Sequence, residues 1–187
     1  MQAALAALPY TLLSLRDAQL EQYSVEEKGT TYQENARLKA QAYALKGGYL
    51  TLADDAGIIV DALQGELGVK TRRWGAGESV SDQEWLDFFM KRMESEKNRK
   101  AYFVCAMSLV DQQGDILFET EGRAYGQITR RVMAPIIPGI PLSSVFLQDG
   151  CTQVYAAMHM EEKNSLSHRA QALRQVKGYL SGLQEHR

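Results

Sequence analysis

Apolar residues recur along this chain at two spacings, which predict two kinds of element. Repeats of three to four residues are typical of helices, and short continuous apolar runs are typical of buried strands. Helices are predicted at about 33–46 and 82–94, and a last one starts at Ser167 as its N-cap. Strands are predicted at 10–15, 49–53, 58–63, 101–110, 116–123 and 127–132. This alternation indicates an α/β fold in which helices flank a mixed sheet, as one two-lobed domain over residues 1–187.

The first predicted helix carries signals at both ends. Thr30 and Thr31 offer hydroxyl groups before its first turn, and Gly47 and Gly48 follow its last residue. Hydroxyl residues begin helices and glycines end them. Its small apolar residues share one stripe, which should face the sheet. The next strand is followed by a polar stretch at 54–57, so two carboxylates are expected where that strand ends.

Three further stretches are assigned to connections or to the core. The basic run 97–100 precedes a strand and is typical of a solvated connection, so no function is assigned to it. Residues 136–150 contain Pro, Gly and Ser with little periodicity, which indicates a loop. The aromatic residues of the helix at 82–94 repeat at helical spacing and are interpreted as core.

The composition is that of a soluble globular protein. The 187 residues are 45% hydrophobic and 24% charged, with a net charge of −2. No block of one charge sign favours nucleic acid as a partner, and no apolar run approaches the roughly 20 residues that span a bilayer. Cys105 and Cys151 match no metal motif. We therefore expect a cytoplasmic protein that binds neither nucleic acid nor a membrane.

The first candidate cluster lies at the start of the first helix. Asn35 and Lys39 are four residues apart and therefore share a helix face, while Glu34 lies in the first turn. A structural interpretation stays open, because Thr31 followed three residues later by Glu34 is also a capping box.

The second candidate cluster is the pair Asp54 and Asp55. Successive strand residues face opposite sides, so at most one of the two carboxylates can point directly into a given site. Acidic residues at a strand end suit a hard cation such as magnesium, which takes few protein carboxylates and keeps other positions for water and phosphate. The alternative is a polar turn without a ligand.

The third candidate cluster is basic and lies at the start of the last helix. Lys163, His168 and Arg169 there accompany Ser167, whose position places unpaired backbone N–H groups beside them. This combination predicts an anion site. The alternative is a capped helix whose basic residues are solvated.

Motifs at the three clusters resemble those of the inosine/xanthosine triphosphate pyrophosphatase family. Residues 29–40 (GTTYQENARLKA) resemble G-T-[TS]-[FY]-x-E-N-A-x-x-K-A. Residues 52–57 (LADDAG) resemble L-A-D-D-S-G, and 60–65 (VDALQG) resemble V-D-A-L-x-G. Residues 162–169 (EKNSLSHR) resemble E-K-N-x-[IL]-S-H-R. The resemblance extends over about 13–180, which is nearly the whole chain.

The resemblance implies an activity as well as a curved, mixed sheet. Members of this family hydrolyse triphosphates of deaminated purine nucleosides (ITP, dITP and XTP) to the monophosphate and pyrophosphate, with magnesium, and are usually homodimers. By resemblance, Glu34 and Asp55 would hold Mg²⁺, and Asp55 would also be the general base. The residues implied to bind substrate are Lys39, Asp54, Ala56, Lys163, His168 and Arg169.

The chain also departs from the family pattern. The family begins with a strand and an [ST]-x-N-x-x-K loop that holds the triphosphate, and neither is recognised after Met1, so the chain is expected to be N-terminally shortened unless its start lies upstream. The base-reading motif G-F-G-Y-D-P-[IV]-F corresponds to GIPLSSVF at 139–146, which should weaken purine discrimination. Ala56 replaces the usual serine. The alternative function is therefore a degenerate homologue that binds a nucleotide or dimerises without turnover.

Overall fold

The computed structural model describes residues 5, 8–69, 74 and 79–185. Four α-helices are described: α1 (Tyr32–Gly47), α2 (Asp82–Arg92), α3 (Met160–Leu166) and α4 (His168–Glu185). The strands are β1 (Thr51–Val60), β2 (Lys100–Val110), β3 (Ile116–Ile128) and β4 (Phe146–Gln148). Short 3₁₀ turns follow at Asp61–Leu63, Pro141–Ser144 and Tyr155–Ala157. None of the helices in these ranges is long and apolar enough to cross a membrane.

The four strands form an open antiparallel sheet in the order β1-β2-β3-β4. A tight turn joins β2 to β3, in which the Asp111 backbone N–H donates to the Asp115 carbonyl at 3.0 Å. The short β4 pairs antiparallel with the end of β3, with Ile128 opposite Phe146. The α/β class predicted from the sequence is confirmed.

The chain divides into two compact units. The first comprises residues 1–56, 105–122 and 168–187, and the second comprises 57–104 and 123–167. Strands β1, β2 and β3 contribute residues to both. The expectation of one domain over the whole chain stays a prediction.

Each unit has a hydrophobic core of its own. In the first unit, α4 and β2 supply most of one buried cluster, whose members include Cys105, Met107, Leu109, Ala172, Leu173, Val176 and Leu180. In the second unit the core is more aromatic and includes Trp85, Phe89, Phe146 and Tyr155. The interpretation of the α2 aromatic residues as core is confirmed for Trp85 and Phe89, whereas Phe88 is 39% exposed.

The predicted features of α1 are confirmed. Thr31 caps the helix in a capping box with Glu34, and Gly48 follows it in the left-handed conformation, with φ of 71°. The stripe of Ala36, Ala40 and Ala44 is fully buried. Such small residues let a helix backbone lie close to a neighbouring strand, which fixes the position of the polar residues that α1 carries.

Several strand predictions were wrong. Residues 10–15 form no strand. Residues 54–57 do not interrupt a strand, because β1 runs without a break from Thr51 to Val60. Of the segment predicted as a separate strand at 127–132, only residues 127 and 128 are strand, as the end of the longer β3. The predicted loop 136–150 contains β4. Backbone pairing with a neighbour decides these outcomes, and local composition does not report it.

The solvated-connection interpretation of the basic run was wrong for Arg99, which is 9% exposed. Its guanidinium donates to the carbonyls of Ile128 at 2.7 Å, Met93 at 2.8 Å and Thr129 at 2.7 Å. Met93 follows α2, and Ile128 ends β3. Arg99 therefore ties the end of a helix to the end of a strand within the second unit.

Helix α4 approaches β3 so closely that one position requires glycine. A Cβ on Gly122 would lie 2.7 Å from the Ala172 backbone nitrogen and would overlap the His168 carbonyl. Gly178, on the same helix, has open space around its Cα. The two glycines therefore differ in what an added methyl group would contact.

We expect Gly122→Ala to lower the free energy of unfolding by about 1–3 kcal/mol, because α4 must move away from the strand to admit the methyl group. Gly178→Ala should raise it by up to about 1 kcal/mol, through helix propensity. Urea denaturation of both variants measures the two changes. Equal effects would contradict the close approach of α4 to β3.

Candidate active site

Asp54 and Asp55 are neighbours on β1, and their side chains bond to different helices. Asp55 bonds to residues of α1, and Asp54 bonds to a residue of α4. Alternation along a strand produces this division. The expectation that the two carboxylates diverge is confirmed, although they lie inside a strand and not at its end.

Asp55 is held by two polar side chains of α1. Its Oδ1 lies 3.2 Å from the Lys39 ammonium, and its Oδ2 accepts a hydrogen bond from the Asn35 amide at 3.2 Å. Burial, with a smaller contribution from the Glu27 charge, raises the pKa of Asp55 against the opposing effects of Lys39 and Asn35. A carboxylate with a raised pKa is the stronger proton acceptor.

Lys39 links Asp55 to a second carboxylate. Its ammonium also donates to Glu27 at 2.6 Å. Although burial lowers the pKa of Lys39, the two carboxylates outweigh it and the net shift is upward. Lys39 is therefore a charged group fixed between two acids.

Glu34 forms the capping box that the sequence left as an alternative. Its Oε2 accepts from the Thr30 backbone N–H at 2.6 Å, the Thr30 hydroxyl at 2.8 Å and the Thr31 N–H at 3.3 Å. These bonds lower the pKa of Glu34, the Thr30 backbone contributing most. Within the described residues, all of its hydrogen bonds as acceptor go to Oε2, which leaves Oε1 available to a ligand.

Asp54 binds the guanidinium of Arg169. Its Oδ2 accepts from Nε at 3.0 Å and from Nη2 at 2.8 Å. The Cys105 thiol lies 3.6 Å from the same oxygen. Burial raises the pKa of Cys105 to about 12, with a further contribution from the Asp54 charge. The Asp54 carboxylate thus fixes the direction of Arg169 at the start of α4.

The other predicted substrate-binding residues are His168, Lys163 and Ala56. His168 is the first residue of α4 and is 9% exposed. Lys163 lies in α3, with its ammonium 5.6 Å from the centre of the Tyr155 ring. Ala56 packs against the core of the first unit. Their convergence on one ligand stays a prediction.

The acidic groups form no ready-made cage for a metal. Over the described ranges, no group of three or more His, Cys, Asp or Glu side chains could hold an ion. Magnesium commonly takes one or two protein carboxylates and completes its shell with water and substrate phosphate. Glu34 and Asp55 supply hard oxygen donors of that kind, and the distance between their carboxylates stays a prediction.

Known proteins are similar to this chain in both sequence and fold. The sequence model of the Ham1 family matches residues 1–179. A dITP/XTP pyrophosphatase from Deinococcus deserti is 37% identical over 174 residues, covering 92% of this chain and 79% of the relative. The chain belongs to the Ham1 family. Another dITP/XTP pyrophosphatase, from Leptospira interrogans, is 31% identical over 180 residues, covering 96% and 89% of the two chains.

Solved structures with the Ham1 name superpose on this fold. The HAM1 protein from Coxiella burnetii gives a TM-score of 0.86 at 29% identity, covering 97% of this chain and 91% of that one. The Ham1 protein from Staphylococcus aureus gives 0.83 at 27% identity, with the same coverage. The family resemblance expected from the three motifs is confirmed.

The segment 139–146, which departs from the family motif in sequence, contributes mainly to the core of this Ham1 chain. Phe146 is fully buried and packs edge-to-face on Phe103, with ring centres 4.7 Å apart. Leu142 is also buried, whereas Ile140 is 48% exposed. Phe146 is thus a core residue here and offers no exposed ring to a base.

Sequence reasoning missed Glu27, and it named Asn35 without predicting that Asn35 holds the Asp55 side chain. Glu27 was not singled out, although it shares Lys39 with Asp55. Asn35 is 2% exposed, and its carbonyl oxygen accepts from the Gly29 N–H at 2.8 Å. A Cβ on Gly29 would lie 2.6 Å from that oxygen. The glycine that opens the first motif was the available signal, because a close backbone approach favours glycine.

The two cysteines should differ in reactivity. Cys105 is buried, and with a pKa of about 12 it is thiolate in only about one molecule in 10⁴ at pH 8. Cys151 is half-buried, and burial raises its pKa as well. We expect iodoacetamide to modify Cys151 at least about tenfold faster than Cys105 in the native protein.

Quantitative mass spectrometry of the two cysteine peptides over a time course measures this ratio. Labelling in denaturant is the control, since both thiols should then react at similar rates. Equal labelling of the native protein would contradict the buried position of Cys105 beside Asp54.

Proposed function

We propose that this chain is a hydrolase of nucleoside triphosphates with deaminated purine bases, dITP, ITP and XTP, which it converts to the monophosphate and pyrophosphate. Membership of the Ham1 family and the names of its relatives support the reaction class. The observation that carries the proposal is the half-buried Asp55 carboxylate, which a cation and an amide hold in place. A fixed acceptor of this kind is what water activation requires.

In the proposed reaction, Asp55 accepts one proton from a water molecule as the water oxygen bonds to the α-phosphorus of the substrate. The anhydride bond between the α- and β-phosphates breaks, and pyrophosphate leaves. Asn35 and Lys39 keep the Asp55 carboxylate in one orientation during this step, because they bind one oxygen each. Positioning of this kind supplies much of the rate enhancement in phosphoryl transfer.

Mg²⁺ is part of the proposal, with Glu34 and Asp55 as its protein ligands. The ion would neutralise negative charge on the phosphates, and the two carboxylates would leave most of its coordination positions to water and substrate. The Oε1 atom of Glu34 supports this assignment, since the capping bonds go to Oε2.

The basic side chains are proposed to bind the phosphates and sugar. Lys39 and Arg169 carry fixed charges, each already oriented by a carboxylate, and His168 begins the helix that carries Arg169. A guanidinium held at Nε and Nη2 still has N–H donors for a phosphate oxygen. Asp54 then acts by positioning Arg169, and Lys163 and Ala56 complete the proposed set.

Location and assembly are also proposed and not observed. A cytoplasmic homodimer is consistent with the composition and with the family resemblance. The alternative function, nucleotide binding without turnover, draws on the segment 139–146, where the only aromatic ring is buried in the core.

A panel of triphosphates tests the proposal. The purified chain should release pyrophosphate from dITP and XTP in the presence of Mg²⁺, and release should stop in EDTA. Turnover of dATP and dGTP should be slower than turnover of dITP. The difference should be smaller than the factor that stacking of the base would give, because such stacking contributes about 1–3 kcal/mol per base and the segment 139–146 exposes no aromatic ring. Release of orthophosphate in place of pyrophosphate would contradict the reaction. Binding without any product would favour the degenerate homologue.

A further inference from the structure

The second unit contains a basic cavity that the proposed reaction does not use. It has a volume of about 490 Å³ and lies where β2 begins and β3 ends. Four of its eight lining residues carry positive charge (Lys97, Arg99, Lys100 and Arg130), and none carries a carboxylate. On a chain with a net charge of −2, this is a local concentration of one sign.

The charge of Arg99 is buried and balanced only by dipoles. Its three hydrogen bonds go to backbone carbonyls, and no carboxylate in the described chain forms a salt bridge with it. Burial and the nearby charge of Arg130 both lower the pKa of Arg99. Two guanidinium groups that repel each other are stabilised when an anion binds beside them.

The three other cations are exposed and available. Lys97, Lys100 and Arg130 form no ion pair within the described residues, and Asn98 and Thr129 add polar groups to the same cavity wall. Cations on this chain commonly find an acid, as Arg37 does with Glu119 and Arg92 does with Glu66. No carboxylate lines the cavity itself. Two acids lie beside it, Glu94 in a depression shared with Arg99 and Arg130, and Asp61 at 3.5 Å from the Asn98 amide, so its positive field is compensated only in part.

We propose that this cavity binds an inorganic oligophosphate, with pyrophosphate as the smallest member of the class. Several phosphate groups are needed to engage separate cations, and a volume of about 490 Å³ exceeds what one phosphate requires. The lining contains no aromatic side chain on which a base could stack, so the site recognises phosphates and not nucleobases. Four cations that line a single cavity also form too short a basic surface to follow a nucleic acid backbone.

This site shares no residue with the Asp54 and Asp55 clusters, and its existence does not depend on catalysis. Pyrophosphate is also one of the two products of the proposed reaction, so that reaction would release a ligand of the class that the cavity is proposed to bind. The inference goes beyond the proposed function, and it can be tested on a chain that hydrolyses nothing.

Isothermal titration calorimetry with pyrophosphate in EDTA buffer tests the proposal. The variant combining Lys97→Ala and Arg130→Ala changes only exposed side chains and leaves Arg99 in place, so the fold should be retained. We expect it to lose one equivalent of bound pyrophosphate per chain, or to weaken binding at least about tenfold. Arg169→Ala should still bind this equivalent of pyrophosphate, which distinguishes the cavity from the proposed catalytic cluster.

Two single variants control for net charge. Arg131→Ala removes an exposed charge that is next to Arg130 in sequence but does not line the cavity. Lys28→Ala removes an exposed charge that is far in sequence from the cavity residues. Each should change pyrophosphate affinity less than twofold. Losses equal to that of the double variant would reduce the effect to general electrostatics and overturn the site.

The ligand class is tested by the same titration with three other probes. Tripolyphosphate should bind at least as tightly as pyrophosphate, and orthophosphate more weakly, if several cations act together. A nucleoside triphosphate should bind no tighter than tripolyphosphate, because no base is recognised. Tighter binding of a single-stranded oligonucleotide that depends on Lys97 and Arg130 would contradict the proposal and identify a nucleic acid surface.

Discussion

The candidate active site depends on the alternation of side chains along an unbroken β1. Asp54 and Asp55 are adjacent in sequence, yet the pleat sends one to Arg169 of α4 and the other to Lys39 and Asn35 of α1. Each carboxylate therefore has a cation of its own and does not repel its neighbour at close range. A shift of one residue in the strand would exchange the two sets of partners, so the register of β1 determines which acid can activate water.

Two positively charged side chains of the first unit and one of the second are balanced in different ways. In the first unit, Arg169 and Lys39 are each paired with a carboxylate, which keeps both ammonium and guanidinium groups charged and oriented. In the second unit, Arg99 meets only carbonyl oxygens and has a like charge near it. Paired cations suit the positioning of a substrate, and a cation without a carboxylate bonded to it suits the binding of a further anion.

Features set by local sequence were the ones that could be predicted. The caps of α1, its alanine stripe and the divergence of the two aspartates follow from spacing alone. The continuity of β1 could not be predicted, because a polar stretch resembles a turn when its partners on α1 and α4 are unknown. Burial of Arg99 depends on carbonyls about 30 residues later in the chain. Glu27 enters the site only through a contact with Lys39 across 12 residues.

The division of roles between the two aspartates is tested most directly by the steady-state kinetics of dITP hydrolysis by Asp55→Asn and Asp54→Asn. Asp55→Asn should lower kcat by about 10²–10⁴ with little change in KM. Because folding raises the pKa of Asp55, its ionised form costs stability above that pKa, so the neutral amide should not lower Tm at pH 7. Asp54→Asn should mainly raise KM, because Arg169 loses its anchor. Retention of kcat by Asp55→Asn would contradict the account. So would a loss of kcat in Asp54→Asn that Asp55→Asn does not show.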